Sequence, residues 1–159
     1  MKRQGPDSWL LQRLFVLFFG AFLGLTLLKF GNPPIMESFV WAPKDPYEFV
    51  LASPWPITWA YGLLSIVAIL GVAVANRGLK ISRWLVALPI AWLVWEFLAS
   101  FWSVNPVLTK PTLTHFLSCV VCFYLGLFSL GGVRRIDWFL SGLLCAFLIV
   151  IAVGCEQHF

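Results

Sequence analysis

The chain has 159 residues, of which 60% are hydrophobic and only 11% charged, and its net charge is +4. Soluble domains are ordinarily about 45–50% apolar and about 25% charged, so a soluble fold of this length is excluded: it has no means of hiding that much apolar surface from water. In a bilayer apolar faces need no cover, which predicts an all-α polytopic integral membrane protein with no separate soluble domain. The positive charges lie in short clusters between apolar runs, a pattern that sets membrane orientation and implies no nucleic-acid partner.

The polar start, with Lys2 and Arg3, leads into the apolar run Trp9–Phe30. A basic start before an apolar run is also the plan of a signal peptide, but this run is long and bulky and no small-residue cleavage site follows. Its uncharged part, Leu14–Leu28, makes about 22 Å of helix, and the flanks extend it to the roughly 30 Å of a hydrocarbon core. It is predicted to be an uncleaved first span, with Arg13 snorkelling to the near interface. The segment 31–56 then holds six prolines, which forbid a long helix because each lacks an N–H and clashes with the preceding turn. Trp41, Tyr47 and Trp55 favour the headgroup level. The segment reads as an outward loop on the membrane surface. A lid over a lipid-linked substrate, with Glu37, Lys44, Asp45 and Glu48 meeting its polar groups, is the functional alternative.

The second span is predicted over 57–75, free of charge and stopped by Asn76-Arg77-Gly78. Arg77, Lys80 and Arg83 form a basic turn before the third span, 84–102, which contains Pro89 and Glu96. Ser103–Lys110 is expected to be a tight turn around Asn105-Pro106. The fourth span follows over 111–131, with Pro111 suited to a first helical turn. Gly131-Gly132 ends it before Arg134-Arg135, and 136–154 is the fifth span. Five spans put Lys2, Arg3, Arg13, Arg77, Lys80, Arg83, Arg134 and Arg135 on one side and only Lys29, Lys44 and Lys110 on the other, eight basic residues against three. The positive-inside rule then places the N-terminus in the cytoplasm and segment 31–56 outside.

Few residues carry chemistry. Cys119, Cys122, Cys145 and Cys155 lie within or at the end of apolar runs, which is no disulfide framework. The redox-like spacing of Cys119 and Cys122 falls mid-helix in apolar surroundings, where thiols pack and react little. Gly20, Gly24, Gly62, Gly71, Gly126 and Gly142 suit close helix packing, and Gly20 and Gly24 form a small-xxx-small pair. Glu96 is the one acid inside a long apolar run. An intramembrane carboxylate costs about 2.5–3.5 kcal/mol at the helix centre, so it either faces a polar cavity or hydrogen-bonds another group, with Ser100 one turn on as a partner. His115, early in the fourth span, lies near enough in sequence to approach Glu96 across the short link. No metal-ligand spacing, phosphate loop or nucleophile elbow occurs, so no metal or cofactor is expected. No internal repeat or inverted-repeat transporter pattern is visible.

The segment from Trp95 to Gly131 carries Ser100-Phe-Trp-Ser103-Val-Asn105-Pro106 after an apolar span and before another. In this it resembles the early part of bacterial O-antigen ligase-like proteins, inner-membrane proteins of surface-polysaccharide (lipopolysaccharide) assembly. Their pattern is Ser-x-x-Trp-Ser-x-Asp/Asn-Pro; here the first spacing is one residue shorter. The end, Glu156-Gln157-His158-Phe159, is also similar to a stretch just after a family span. The resemblance implies a multi-pass bacterial inner-membrane protein whose partners are the bilayer, a lipid-linked glycan and other membrane proteins. Family members have about twice as many spans, and their catalysis is attributed to basic residues and a histidine in a large late outer loop. No residue here matches those positions, so no catalytic residue is carried over. The chain reads as the N-terminal portion of such a protein, truncated or a short relative, expected to be inactive in glycan transfer alone. Its candidate polar site is Glu96, Ser100, Ser103, Asn105 and His115. A small non-enzymatic membrane subunit of a larger complex, or a transporter fragment, is the alternative.

Overall fold

A computed structural model describes residues 6–52, 54–76, 81–133 and 135–158. The basic residues Lys2, Arg3, Arg77, Lys80 and Arg134, together with Gly78 and Phe159, lie outside the described residues. The described chain is all-helical and contains no strand. Helix α1 is Pro6–Lys29, a 3-10 turn spans Pro34–Phe39 and α2 is Pro46–Leu51. Helices α3 (Ile57–Val74) and α4 (Arg83–Ser100) follow, then α5 (Pro106–Tyr124), which continues as a π-helical segment, Leu125–Leu130. The last helix, α6, is Asp137–His158. Among the described residues four stretches are long and apolar enough to cross a membrane: Trp9–Lys29, Ile57–Val74, Arg83–Ser100 and Pro106–Leu130. The stretch expected as a fifth span is helical as α6, and its apolar part among the described residues, Asp137–Ile149, is shorter.

One boundary differs from expectation. Helix α5 begins at Pro106, inside the stretch read as a turn, and Pro111 lies within the helix and not in its first turn. The cause is the residue before it: the Asn105 side chain accepts hydrogen bonds from Val107 N at 3.2 Å and Leu108 N at 3.4 Å. That satisfies two of the free N–H groups of a helix start, and Pro106 takes the first helical position, where no N–H is needed. The turn is shortened to the residues after Ser100. Segment 31–56 is also more structured than a plain loop, since Pro34 and Pro46 each open a short helix.

The core is built on α1. Phe15, Val16, Phe19 and Phe22 are buried with Leu64, Val67 and Leu125. Helices α1 and α6 approach closely at three glycines. A Cβ on Gly20 would stand 2.2 Å from Phe139 O, one on Gly24 2.5 Å from Ala146 Cβ, and one on Gly142 2.1 Å from Leu17 O. Higher numbers in α1 face higher numbers in α6, so the two helices run parallel. Gly71 likewise lets Leu125 and Phe15 approach α3. Gly62 and Gly126, expected at packing seams, have no neighbour within 4 Å of a Cβ position and serve no close approach. The four cysteines are free; Cys122 packs against the core, while Cys119, Cys145 and Cys155 are exposed.

The contacts sort the helix ends into two groups. At one end Arg13 stacks over Trp9 at 3.3 Å and lies 5.1 Å from the Trp138 ring, so the anchoring of Arg13 is through aromatic faces. Asn76 N donates to Phe128 O at 2.9 Å and the Tyr124 hydroxyl donates to Val86 O, bringing the end of α3 and the start of α4 to the π segment. At the other end the close of α1 meets α2 and the start of α3. Trp55, read as an interfacial ring, is buried there against Phe30, Phe49 and Trp59, whereas Trp41 and Tyr47 are exposed.

Candidate functional site

Among the described residues helix α4 packs chiefly on α5 and is buried nowhere along its length. Where the two helices splay towards the Ser103–Asn105 turn they leave a cleft of about 430 Å³, lined by Glu96, Ala99 and Ser100 of α4, Ser103 of the turn, and Leu108, Thr109, Thr112, Leu113 and Phe116 of α5. The α5 members follow the helical period, 108/109, 112/113 and 116, and so form one face. His115 is exposed and falls beside that face, outside the cleft. Three of the five sequence-derived candidates thus meet in the cleft; Asn105 shapes its floor as the α5 cap, and His115 is not brought to Glu96.

The hydrogen bonds give the cleft a definite polarity. Glu96 Oε1 accepts from Trp92 Nε1 at 3.0 Å, one turn back on the same helix. The expected bond to Ser100 does not form, because the Ser100 hydroxyl donates to Phe97 O at 2.6 Å. Thr109 donates to Asn105 O at 2.9 Å and Thr112 to Leu108 O at 2.9 Å. Asn105 N donates to Ser103 Oγ at 3.3 Å, and Ser103 in turn bonds Thr109 Oγ1, closing a ring around the turn. Each hydroxyl has one proton to give, and here those protons go to the helix backbone or round the ring. Beside the apolar Ala99, Leu108, Leu113 and Phe116, the polar side chains that line the cleft offer a carboxylate and hydroxyl lone pairs, all acceptors. The site suits a ligand rich in O–H or N–H donors and is unsuited to a bare anion. Thr109, Thr112 and the indole of Trp92 escaped the sequence reading; their i+3 and i+4 spacing from Glu96 or from each other was the available signal.

Of the acids of segment 31–56, Glu37 and Glu48 accept local hydrogen bonds, whereas the Asp45 side chain makes no cap bond to α2. Glu37 Oε1 accepts from Ile57 N at 2.8 Å, capping α3, and its Oε2 accepts from Asn32 Nδ2 at 3.3 Å. Glu48 Oε2 accepts from Lys44 N at 2.8 Å. Among the described residues no group of three or more His, Cys, Asp or Glu stands ready for a metal ion. Comparison with protein-family models, with curated proteins and with solved structures gives no match to this chain.

Proposed function

We propose that this chain is a five-span protein of the bacterial inner membrane, N-terminus in the cytoplasm, that takes part in surface-polysaccharide assembly as an O-antigen ligase-like N-terminal portion. The α4–α5 cleft holds the sugar part of a lipid-linked glycan. The observation that carries this reading is the acceptor-only lining around Glu96: sugar hydroxyls are donors, and a carboxylate receives two of them without a proton of its own. The parallel run of α1 and α6 supports an odd number of crossings between them. The grouping of Arg13 with Trp138 and of Lys110 with the opposite end supports the orientation given by the eight-to-three basic asymmetry.

Two substitutions test the site. Glu96→Gln replaces one acceptor oxygen with a donor and removes the charge; Glu96→Leu removes the polar group and its insertion cost together. Both are expected to keep or raise thermal stability in detergent, by up to about 2 kcal/mol for leucine, and both are expected to abolish complementation of surface glycan in a host carrying the full-length counterpart. Full complementation by Glu96→Gln would make Glu96 a packing residue bonded to Trp92 and end the functional reading. Orientation is tested separately. In a background without native cysteines, Lys44→Cys is expected to react with a membrane-impermeant thiol reagent in intact cells and Lys80→Cys to be protected, and the reverse labelling would invert the topology.

One observation favours a second reading, a non-enzymatic subunit of a larger membrane complex. Helix α4 exposes Trp84, Trp92 and Trp95, and the turn after it exposes Trp102, at 77%, 58%, 69% and 79% of their surfaces, and rigid aromatic rings are frequent anchors at protein interfaces. Glycan complementation that survives both Glu96 substitutions but fails when Trp95 is changed to alanine would favour this reading.

A further inference from the structure

On the far side of α5 from Glu96 lies a second cleft of about 430 Å³, between the 3-10 turn and the first turns of α3 and α5. Its walls are Ile57, Pro106, Val107 and Pro111, and beside the hydroxyls of Thr58, Tyr61 and Thr114 it has charges of both signs, Glu37 from the 3-10 turn and Lys110 from α5. No ion pair joins Glu37 to Lys110 among the described residues. Two oxygens at this corner are buried without a hydrogen-bond partner, the Tyr61 hydroxyl and Asn32 Oδ1. Asn32 belongs to the corner through its bond to Glu37. Buried polar atoms are nearly always paired, and of these two the Tyr61 hydroxyl lines the cleft, with a proton to give and lone pairs to fill. A cation with several N–H groups fits the Glu37 carboxylate, whose oxygens keep further lone pairs. Lys110 is exposed and has three donors for an anion.

We propose that this cleft seats a phospholipid whose headgroup carries both a primary amine and a phosphodiester, the ammonium at Glu37 and the phosphate at Lys110. The apolar walls take the glycerol and the first methylenes of a chain. A headgroup with phosphate alone meets the Glu37 charge and brings that carboxylate no donor. An amine alone leaves Lys110 without an anion. A quaternary ammonium has no N–H to give. The opposite charges on the two walls, not joined to each other, match a zwitterion. The site is separate from the glycan reading of the Glu96 cleft and stands without it.

The test uses the full chain reconstituted in phosphatidylcholine bilayers doped with either phosphatidylethanolamine or phosphatidylglycerol. Lipid retained after extraction is counted by native mass spectrometry, and unfolding is followed by temperature. Phosphatidylethanolamine is expected to be retained selectively and to raise Tm. Lys110→Gln and Tyr61→Phe are each expected to weaken its retention about tenfold, the loss of one charge-assisted hydrogen bond, while Lys44→Gln leaves it unchanged. Tyr61→Phe removes an unpaired hydroxyl and so does not lower Tm in phosphatidylcholine alone, which separates lipid loss from misfolding. Equal retention of phosphatidylglycerol, or wild-type retention of phosphatidylethanolamine by both variants, would overturn the proposal.

Discussion

Gly142→Ala is expected to break the contact between α1 and α6 and to destabilise the protein by about 3 kcal/mol, the upper part of the usual overpacking range. A Cβ at Gly142 would stand 2.1 Å from Leu17 O and 2.9 Å from Ala21 N. Ordinary van der Waals contact begins near 3.4 Å, and a backbone atom in a helix has no rotamer by which to yield. The helices must part, and parting costs dispersion contacts along the whole seam, which in lipid is the main force between them. Gly62→Ala is the control, since its Cβ position has no neighbour within 4 Å; it should stay within about 1 kcal/mol of wild type. A softer member of the seam gives an internal check. At Gly24 the first atom met is Ala146 Cβ, at 2.5 Å, so Gly24→Ala should be harmful alone and partly rescued by Ala146→Gly, an interaction visible in a double-mutant cycle. Equal Tm shifts for Gly142→Ala and Gly62→Ala would show that α1 and α6 do not touch as described.

How far such features can be read from sequence depends on their range along the chain. The helical segments were legible because hydrocarbon thickness sets a length and apolar composition fills it. Gly20 and Gly24 were legible as a packing face from local spacing, but not their partner: nothing in 20–24 points to residues 139–146, and that pairing is tertiary. The start of α5 was ambiguous because Pro106 and Pro111 both suit a first helical turn. The Asn105 carboxamide decided it by reaching Val107 N and Leu108 N. In the site, Glu96 was legible as the odd acid of an apolar run, and Ser100 and Ser103 as its neighbours. The choice between Ser100 and Trp92 as its partner was not. Both lie one turn away, and Ser100 has a nearer acceptor in Phe97 O. His115 was placed near Glu96 by nearness in sequence, whereas the helical period puts Thr112 and Phe116 on the cleft and His115 to the side.

The least legible residue is Lys29, which sequence reading counts only as one of three basic residues on the sparse side. It is 3% exposed, the one buried charged side chain among the described residues. Its Nζ donates to Val50 O at 2.6 Å and Ala52 O at 2.7 Å, and lies 5.2 Å from the Trp55 ring centroid. Trp55 N donates back to Lys29 O at 2.5 Å, and Trp55 Nε1 donates to Phe49 O at 3.2 Å. The ammonium therefore fastens α2 and the residues after it to the end of α1, and the carbonyl ends of α2 find in it the donors that a helix terminus lacks. Lys29→Met keeps most of the packing volume and removes the donors, leaving two carbonyls short of a charge-assisted bond. At about 1.5–3 kcal/mol for each such bond, a loss of about 3 kcal/mol is expected, and it should fall on segment 31–56 before it reaches the helices. The measurement is limited proteolysis together with Trp55 emission. Cleavage between residues 40 and 55 should become fast and the emission should shift to the red, while α1, α3 and α6 stay protected. Lys44→Met, at an exposed lysine of the same segment, should leave both unchanged. Wild-type protease resistance in Lys29→Met would mean that the Phe30, Phe49, Trp55 and Trp59 cluster alone holds the segment, and that the buried ammonium is incidental to it.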